Sequence, residues 1–181
     1  MLRDAVMRRT SAGGVPRVVV ASGMAGTGVS LVTAALQDAM HGVEVLDAGA
    51  RWIDIAEACA PGFSRMLVVT THDVVAVSAA YALVKLVRDR HPEAPIELLV
   101  NRSRERDALR TYERVQGAAS HFLGETLAYA GAVPDGQSPF DGGPDTMEEV
   151  AAALRALAAR LDEELDALAG RTALGAGERR R

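Results

Sequence analysis

The stretch that decides the fold runs from residue 17 to residue 30. It reads Arg17-Val-Val-Val-Ala-Ser22, then Gly23-Met-Ala-Gly-Thr-Gly28, then Val29-Ser30. A β-branched run, a glycine-rich turn and an alanine-rich stretch to about Met40 predict a buried parallel strand, a turn and a helix. Glycines allow a close approach to an anion, and free N–H groups at a helix start face it. The stretch therefore predicts a phosphate-binding loop.

The alternation of strand and helix continues along the rest of the chain. Apolar runs predict strands at 43–47, 66–71, 96–101 and 126–133, with helices at 52–60, 74–90 and 103–123. Such alternation folds through right-handed crossovers into a mostly parallel sheet with helices on both faces. The expected fold class is a small three-layer α/β sandwich, in which ligands bind beyond the carboxyl ends of the strands.

Glycine and proline clusters divide the chain into segments. We expect an N-terminal segment and linker at 1–14, an α/β domain at 15–135, a C-terminal helix at 145–170 and a basic disordered tail at 171–181. The last helix carries an apolar stripe of Val150, Leu154, Leu157, Leu161, Leu165 and Leu168. This stripe indicates either packing on the domain or a dimer contact.

Composition excludes several classes of protein. The chain has 181 residues, a net charge of −4 and a single cysteine, Cys59. The charge argues against a nucleic-acid binder, and one cysteine excludes an internal disulfide framework and a cysteine-based zinc site. No run approaches the ~20 apolar residues of a membrane span, and the first residues do not resemble a secretory signal. These features predict a cytoplasmic protein with Cys59 in its core.

The loop lacks one group that a working phosphate loop of this type requires. Such loops carry a lysine followed by Ser or Thr, but here Val29 precedes Ser30. Losing one charge-assisted contact costs about 1.5–3 kcal/mol, which is about ten- to a hundredfold in affinity. Two interpretations follow: a degenerate phosphate loop, or glycines that only permit tight packing of the strand on the helix.

A dinucleotide-binding turn is a further alternative. Asp47 follows Gly28 by 19 residues, where a ribose-binding acid would lie, and Tyr81 with Lys85 has the spacing of a dehydrogenase pair. However, the glycine spacing is not Gly-x-Gly-x-x-Gly, and Tyr81 fits the core face of a helix. A Rossmann-type NAD(P)-binding protein is therefore the weaker alternative.

Five segments in a fixed order carry a resemblance to a known family. They are Val68-Val-Thr-Thr71 with the helix containing Ala80-Tyr-Ala-Leu-Val-Lys85, Leu99-Val-Asn-Arg102, Tyr112 to Gly124, Leu127 to Asp135, and Leu46-Asp-Ala-Gly-Ala50. Together they resemble the MinD/ParA family of deviant Walker ATPases over about residues 15–135, most of all its FlhG (YlxH, FleN) branch.

The chain also departs from the family pattern. Met24 stands where the family has its signature lysine, and Val29 stands where it has its phosphate lysine. The family's segment with the switch I aspartate is missing, because the first helix passes through His41-Gly42 directly to Val43. The chain resembles a shortened, degenerate member.

The resemblance implies a reduced P-loop NTPase-like fold and a set of site residues. The cofactor-binding set is Gly23, Gly26, Thr27, Gly28, Ser30, Asn101, Arg102, Pro134 and Asp135. Asn101 and Arg102 would line the adenine pocket, with Pro134 and Asp135 nearby, and Ser30 and Asp47 would be the remaining magnesium ligands. The implied cofactor is ATP or ADP with Mg²⁺, bound weakly or lost.

Two functions from different classes follow. The first is a non-hydrolysing regulatory or scaffold module in polar positioning or in control of flagellar placement and number, with protein partners and a homodimer. The second is an active ATPase in which Arg17, Arg51, Arg102 or a second subunit supplies the missing cation. The acidic last helix argues against membrane association, and its leucine stripe alone would suit an oligomerisation domain.

Overall fold

The computed structural model describes residues 15–136 and 145–178, with the backbone alone at 145–146 and 168–178. The five strands are β1 (Arg17–Ala21), β2 (Glu44–Gly49), β3 (Arg65–Thr70), β4 (Ile96–Asn101) and β5 (Ala128–Val133). Within the described residues, the helices are α1 (Val29–Ala39), α2 (Trp52–Cys59), α3 (Val74–Arg90), α4 (Glu105–Leu123) and α5 (Asp145–Glu178). The segment expected at 1–14 lies outside the described residues.

The five strands form one parallel sheet in the order β2-β1-β3-β4-β5. The chain adds β2 on one side of β1 and then crosses back to add β3, β4 and β5 on the other side. The carboxyl ends of β1 and β3 therefore flank the point where the order reverses, which is where open α/β sheets bind ligands. The prediction of a parallel α/β sandwich is confirmed.

Each face of the sheet buries its own core. Val19, Met66, Val68 and Leu98 point to the face covered by α2, α3 and α4. Val18, Val20, Leu67, Val69 and Leu99 point to the face covered by α1 and α5. Both faces are dry, so successive residues of a strand are all apolar. This explains the uninterrupted β-branched run of β1.

Helix α5 is part of the second core. Its residues Val150, Leu154, Leu157, Leu161 and Leu165 are buried against α1 and the sheet. Of the two roles expected for the leucine stripe, packing on the domain is confirmed for these five residues, which are not exposed for a dimer contact. The helix continues to Glu178, past the end at residue 170 that the sequence predicts.

A closed ring of four charges fastens α5 to the amino-terminal edge of the sheet. The buried carboxylate of Glu97 on β4 pairs with Arg65 of β3 and, at 2.7 Å, with Arg160 of α5. Glu164 of α5 pairs with Arg65 at 3.0 Å and with Arg160 at 2.7 Å. Burial alone would lower the pKa of Arg160, but its hydrogen bonds to Glu97 and Glu164 raise that pKa. Glu97 and Arg65, the two least exposed members of the ring, each therefore have two partners of opposite charge.

Two sequence expectations about single residues can be compared directly. Cys59 is buried in the first core, as predicted, and burial raises the pKa of its thiol to about 11. No helix within the described residues combines the length and the apolar character that a membrane span requires.

Candidate phosphate-binding site

The glycine-rich loop occupies residues 22–28, between the carboxyl end of β1 and the start of α1. Gly26 has φ +82° and Gly28 has φ +94°, in the left-handed region that favours glycine. Gly28 is also the residue that caps α1, and because it has no side chain it makes no side-chain cap hydrogen bond to the first helical turn. The loop therefore has the backbone form that the sequence predicted, with helix N–H groups unclaimed by any side-chain cap.

Ser22 fastens the first half of the loop. Its hydroxyl donates to the carbonyl oxygen of Met24 at 2.9 Å and accepts from the amide of Met24 at 3.2 Å. Its own amide donates to the carbonyl oxygen of Gly49 at the end of β2, at 2.8 Å. Ser22 thus holds the loop on itself and on the neighbouring strand.

Gly23 lies directly against helix α3. A Cβ atom at this position would be 2.1 Å from the carbonyl oxygen of Ala79, closer than any real contact. A glycine is required here because two backbones approach each other. Val75 precedes Ala79 by one helical turn of α3, and its side chain is 64% exposed.

Asn101 fastens the second half of the loop from the end of β4. Its side-chain amide nitrogen donates to the carbonyl oxygen of Thr27 at 2.7 Å, and its side-chain oxygen accepts from the amide of Arg102 at 3.0 Å. A Cβ at Gly28 would be 2.2 Å from the same amide nitrogen. The structure brings Asn101, Thr27 and Gly28 together as expected, with Asn101 bonded to the loop itself.

The side-chain hydroxyl of Thr27 is an unusual feature of the loop. The residue is 2% exposed, and its hydroxyl is buried without a hydrogen-bond partner among the described residues. Buried hydroxyls are nearly always bonded in proteins, to protein groups or to something else. Thr27 is therefore a candidate donor to a bound group.

Neither lysine position of the family pattern provides a cation. The side chain of Val29 is 8% exposed and packs in the second core, and Met24 is half-buried. The chain has a single lysine, Lys85. It is exposed on α3, about 9 Å along the helix axis beyond Ala79, which lies against Gly23 of the loop.

The structure separates the three arginines that the sequence offered as replacements. Arg17 begins β1 at the opposite edge of the sheet and is bonded to Glu44 at 2.6 Å, which excludes it. Arg51 follows β2, and its 78% exposed side chain pairs with Asp54 at 3.7 Å. Arg102 is exposed next to Asn101 and has no ion pair within the described residues.

Arg102 also has an uncommon backbone conformation. Its φ is +54°, and it is the one residue other than glycine with a positive φ in the described part of the chain. Strained conformations of this kind persist where the surroundings impose them, often at functional sites. The amide of Arg102 donates to the side-chain oxygen of Asn101 at 3.0 Å.

The expected magnesium ligands lie at the same edge. Ser30 is exposed in the first turn of α1. Asp47 is exposed on β2 beside Val20, and its carboxylate accepts from the amide of Gly49 at 2.9 Å. The described residues contain no group of three or more His, Cys, Asp and Glu side chains able to hold a metal. Magnesium ligation by Ser30 and Asp47 stays a prediction.

Pro134 and Asp135 follow β5, three strands away from β1. At about 4.8 Å per strand, β1 and β5 are about 14 Å apart. Between them, Asn101 at the end of β4 bonds to the loop at Thr27. The expected place of Pro134 and Asp135 near a base stays a prediction.

The dehydrogenase pair is not at this edge. Tyr81 is half-buried against the first core and contacts the ring of Phe122 near the end of α4, with a centroid distance of 6.4 Å. Lys85 lies one turn further from the loop. The interpretation of Tyr81 as a core-facing helix residue is confirmed.

Taken together, the loop combines the backbone N–H groups of a helix start with an apolar side chain at the position of the phosphate lysine. Backbone N–H groups, a buried hydroxyl and Arg102 can face one anionic group. The lysine that neutralises the transferred phosphate is replaced by an apolar side chain inside the core.

Comparisons with known proteins agree with the fold. No protein-family model and no curated protein sequence matches the chain. The structure is similar to the MinC:MinD cell division protein complex of Aquifex aeolicus, with a TM-score of 0.58 and 14% identity, covering 81% of this chain and 95% of that one. It also aligns with a chain described as a plasmid partition protein of Borrelia burgdorferi bound to AMPPNP, with a TM-score of 0.44 and 10% identity, covering 78% and 97%.

The likeness to MinD is one of fold. It covers nearly the whole of the matched chain and most of this one, and it is carried by the parallel sheet and its helices. The chain therefore adopts a small α/β sandwich similar to the MinD/ParA P-loop fold.

Proposed function

We propose that this chain is a non-hydrolysing regulatory module with a MinD-like fold, which acts in the cytoplasm by binding a protein partner. The loop of residues 22–28 serves it as a ligand site or as a rigid element of the partner surface. The process that the FlhG resemblance indicates is polar positioning, or control of flagellar placement and number.

The observation that carries this proposal is the position of Val29. Phosphoryl transfer depends on fixed cations that neutralise charge as it develops on the transferred group. At the position of the phosphate lysine, the side chain of Val29 is buried among apolar residues of the second core. The chain's single lysine is on α3, away from the loop. Such a loop can bind an anionic phosphate group but lacks the fixed cation that phosphoryl transfer requires.

The intact supports of the loop favour a retained binding role. Ser22, Asn101 and the close approach of Gly23 to α3 hold the loop in a defined form. A loop that only connected β1 to α1 would not require three separate contacts to fix its conformation. The structural neighbour named as a MinC:MinD complex is one half of a protein assembly, and we extend a protein partner to this chain on that ground.

Membrane association is not part of the proposal. The apolar stripe of α5 is buried in the second core, so it is not free to enter a lipid surface. Because these residues of α5 are buried, a homodimer requires other surfaces of the chain.

A phosphate-release assay with ATP and Mg²⁺ tests the proposal. We expect no turnover above that of the Ser30→Ala and Asp47→Asn variants, prepared identically. Turnover that both substitutions abolish would overturn the proposal, because contaminating ATPases would be unaffected by them.

The second candidate function is an ATPase that uses a substitute cation. One observation favours it: Arg102, which follows Asn101, has an exposed side chain that makes no ion pair with the described residues. In that case Arg102→Gln would lower kcat with little effect on the free energy of unfolding. The same phosphate-release assay decides between the two.

A further inference from the structure

We propose that the outward face of α4 binds the outward face of α5 of a second copy of this chain, so that copies associate head to tail through opposite charges. Neither face includes the loop of residues 22–28, and the inference goes beyond the proposed function without depending on it. It names the partner and the two surfaces that meet.

Helices α4 and α5 lie on opposite faces of the sheet. Helix α4 packs over β4 and β5 in the first core, and α5 packs against β5 and α1 in the second core. Their outward faces therefore point in opposite directions, and two copies cannot make the contact twice within one closed pair. Such a heterologous contact leaves one α4 face and one α5 face uncovered in every pair, so further copies can add.

The arginines of α4 share the outward side of the helix. Arg106, Arg110 and Arg114 follow one another at intervals of four residues, which places them on one side, and all three are exposed. The buried residues of α4, on the side that contacts the sheet, are Ala108, Thr111, Val115 and Ala119. The packing of α4 therefore directs its arginines away from the domain.

This outward face differs in the sign of its charge from the whole chain. Residues 102–114 hold five arginines and three acids, although the net charge of the chain is −4. Arg110 contacts Asp107 at 3.4 Å in an exposed pair of little strength, and Glu113 shares the face. Arg106 and Arg114 make no ion pair with the described residues. The face can therefore bind carboxylates from outside the molecule.

The outward face of α5 is acidic. Glu149, Glu163 and Asp166 are exposed and make no ion pair with the described residues, whereas Arg155 pairs with Glu148 at 2.5 Å. Exposed alanines stand between these acids on the same side of the helix: Ala152, Ala156 and Ala159. Small side chains let a neighbouring helix approach closely, and arginine side chains can extend along such a surface to reach a carboxylate.

A second copy fits these surfaces because the chain itself carries both of them. Two α4 faces repel each other, as do two α5 faces, whereas an α4 face attracts an α5 face, so charge selects the head-to-tail arrangement. Helix α4 has 19 residues and is about 28 Å long. A contact between two helix faces of that length belongs to the class of small, transient interfaces. The association should therefore be weak and depend on concentration.

Sedimentation velocity of the full chain without nucleotide tests the proposal. At about 0.02 M salt the average mass should rise with protein concentration from 19.1 kDa to beyond that of a dimer, and at about 0.5 M salt the association constant should fall about tenfold or more. A monomer at every concentration, a plateau at the dimer, or association that salt does not change would overturn the proposal.

Charge reversal identifies the two faces. Arg106→Glu with Arg110→Glu makes the α4 face acidic, and Glu149→Arg with Glu163→Arg makes the α5 face basic. Each double variant alone should be monomeric, because its two faces then carry charges of the same sign. A mixture of the two double variants should associate as the wild type does, because each reversed face meets an opposite charge on the other variant.

The control and the opposing outcomes complete the test. Lys85→Glu, which reverses an exposed charge on α3, should associate as the wild type does. The milder variants Arg106→Gln and Glu163→Gln should each lower the association constant about two- to fivefold, and no change in either would overturn the inference. Binding of the wild-type chain to double-stranded DNA or to an acidic peptide, without self-association, would also overturn it and assign the arginines of α4 to that partner.

Discussion

Asn101 and Thr27 are 74 residues apart in the sequence, yet the side-chain amide of Asn101 donates to the carbonyl oxygen of Thr27 over 2.7 Å. The end of β4 thereby holds the loop that follows β1, across the intervening β3. The bond is buried, so its loss leaves a carbonyl without a partner in a dry environment.

Asn101→Ala should therefore reduce the free energy of unfolding by about 1–3 kcal/mol. Chemical denaturation monitored by circular dichroism measures this. Ser103→Ala, two residues further along, is the control with a smaller expected loss, because its hydroxyl bonds only to the carbonyl of Arg104 at 3.3 Å. Equal losses in the two variants would contradict the fastening role of Asn101.

Gly23→Ala should destabilise the protein by about 1–3 kcal/mol, because the new Cβ would overlap the carbonyl oxygen of Ala79. Gly26→Asn has no such neighbour within 4 Å, and asparagine accepts a positive φ. We expect the second variant to unfold at nearly the wild-type temperature in calorimetry. A larger loss at Gly26 than at Gly23 would refute the close approach of the loop to α3.

Glu97→Ala should cost about 3–5 kcal/mol, because it leaves Arg65 and Arg160 without their shared buried carboxylate. Glu148→Ala removes an exposed pair with Arg155 on the same helix and should cost less than about 1 kcal/mol. Urea unfolding of both variants gives the comparison. Similar costs would mean that the charge ring does not fasten α5.

Leu161→Ala should cost about 2–5 kcal/mol, since the side chain is fully buried between α5 and the sheet. Leu31→Ala, on the exposed side of α1, should stay within about 0.5 kcal/mol of wild type. Light scattering accompanies the unfolding experiment. A Leu161 variant that keeps its stability but changes its oligomeric state would assign the stripe to an interface.

Cys59 should resist thiol reagents in the folded protein. Burial raises its pKa from 9.0 to about 11, so the thiol stays protonated at pH 8 and reacts only after unfolding. The pKa of this thiol is higher in the folded protein than in the unfolded chain. Below about pH 9 this difference contributes up to about 3 kcal/mol to the free energy of unfolding, and the contribution is lost as the pH rises toward 11. Timed labelling with a disulfide reagent, with and without urea, measures the difference.

Much of the architecture follows from local pattern. The helix at 74–90 and the strand at 96–101 have the bounds that the sequence predicts, because Asp73 caps the start of the helix and Pro92 and Pro95 separate the helix from the strand. The leucine stripe left two roles open, and only its burial on the domain distinguishes them. Periodicity identifies an apolar face without identifying what covers it.

The site was less predictable for a physical reason. The glycine spacing indicates a loop, but the inward orientation of Val29 and the bond from Asn101 to Thr27 depend on elements far apart in the chain. Likewise, a carboxylate such as Glu97 is unexpected in a buried strand, and only the structure shows that it pairs with Arg65 and Arg160. Ala79 carries no sequence signal, because its contact with Gly23 is made by backbone atoms.

The placement of α5 has a consequence for biosynthesis. Strand β1 and helix α1 contribute side chains to a core that α5 completes, so those side chains stay uncovered until α5 has been translated. Over that interval the nascent chain exposes valines and leucines of the kind that chaperones bind. Folding of this protein is thus completed after translation of α5, however early its sheet begins to form.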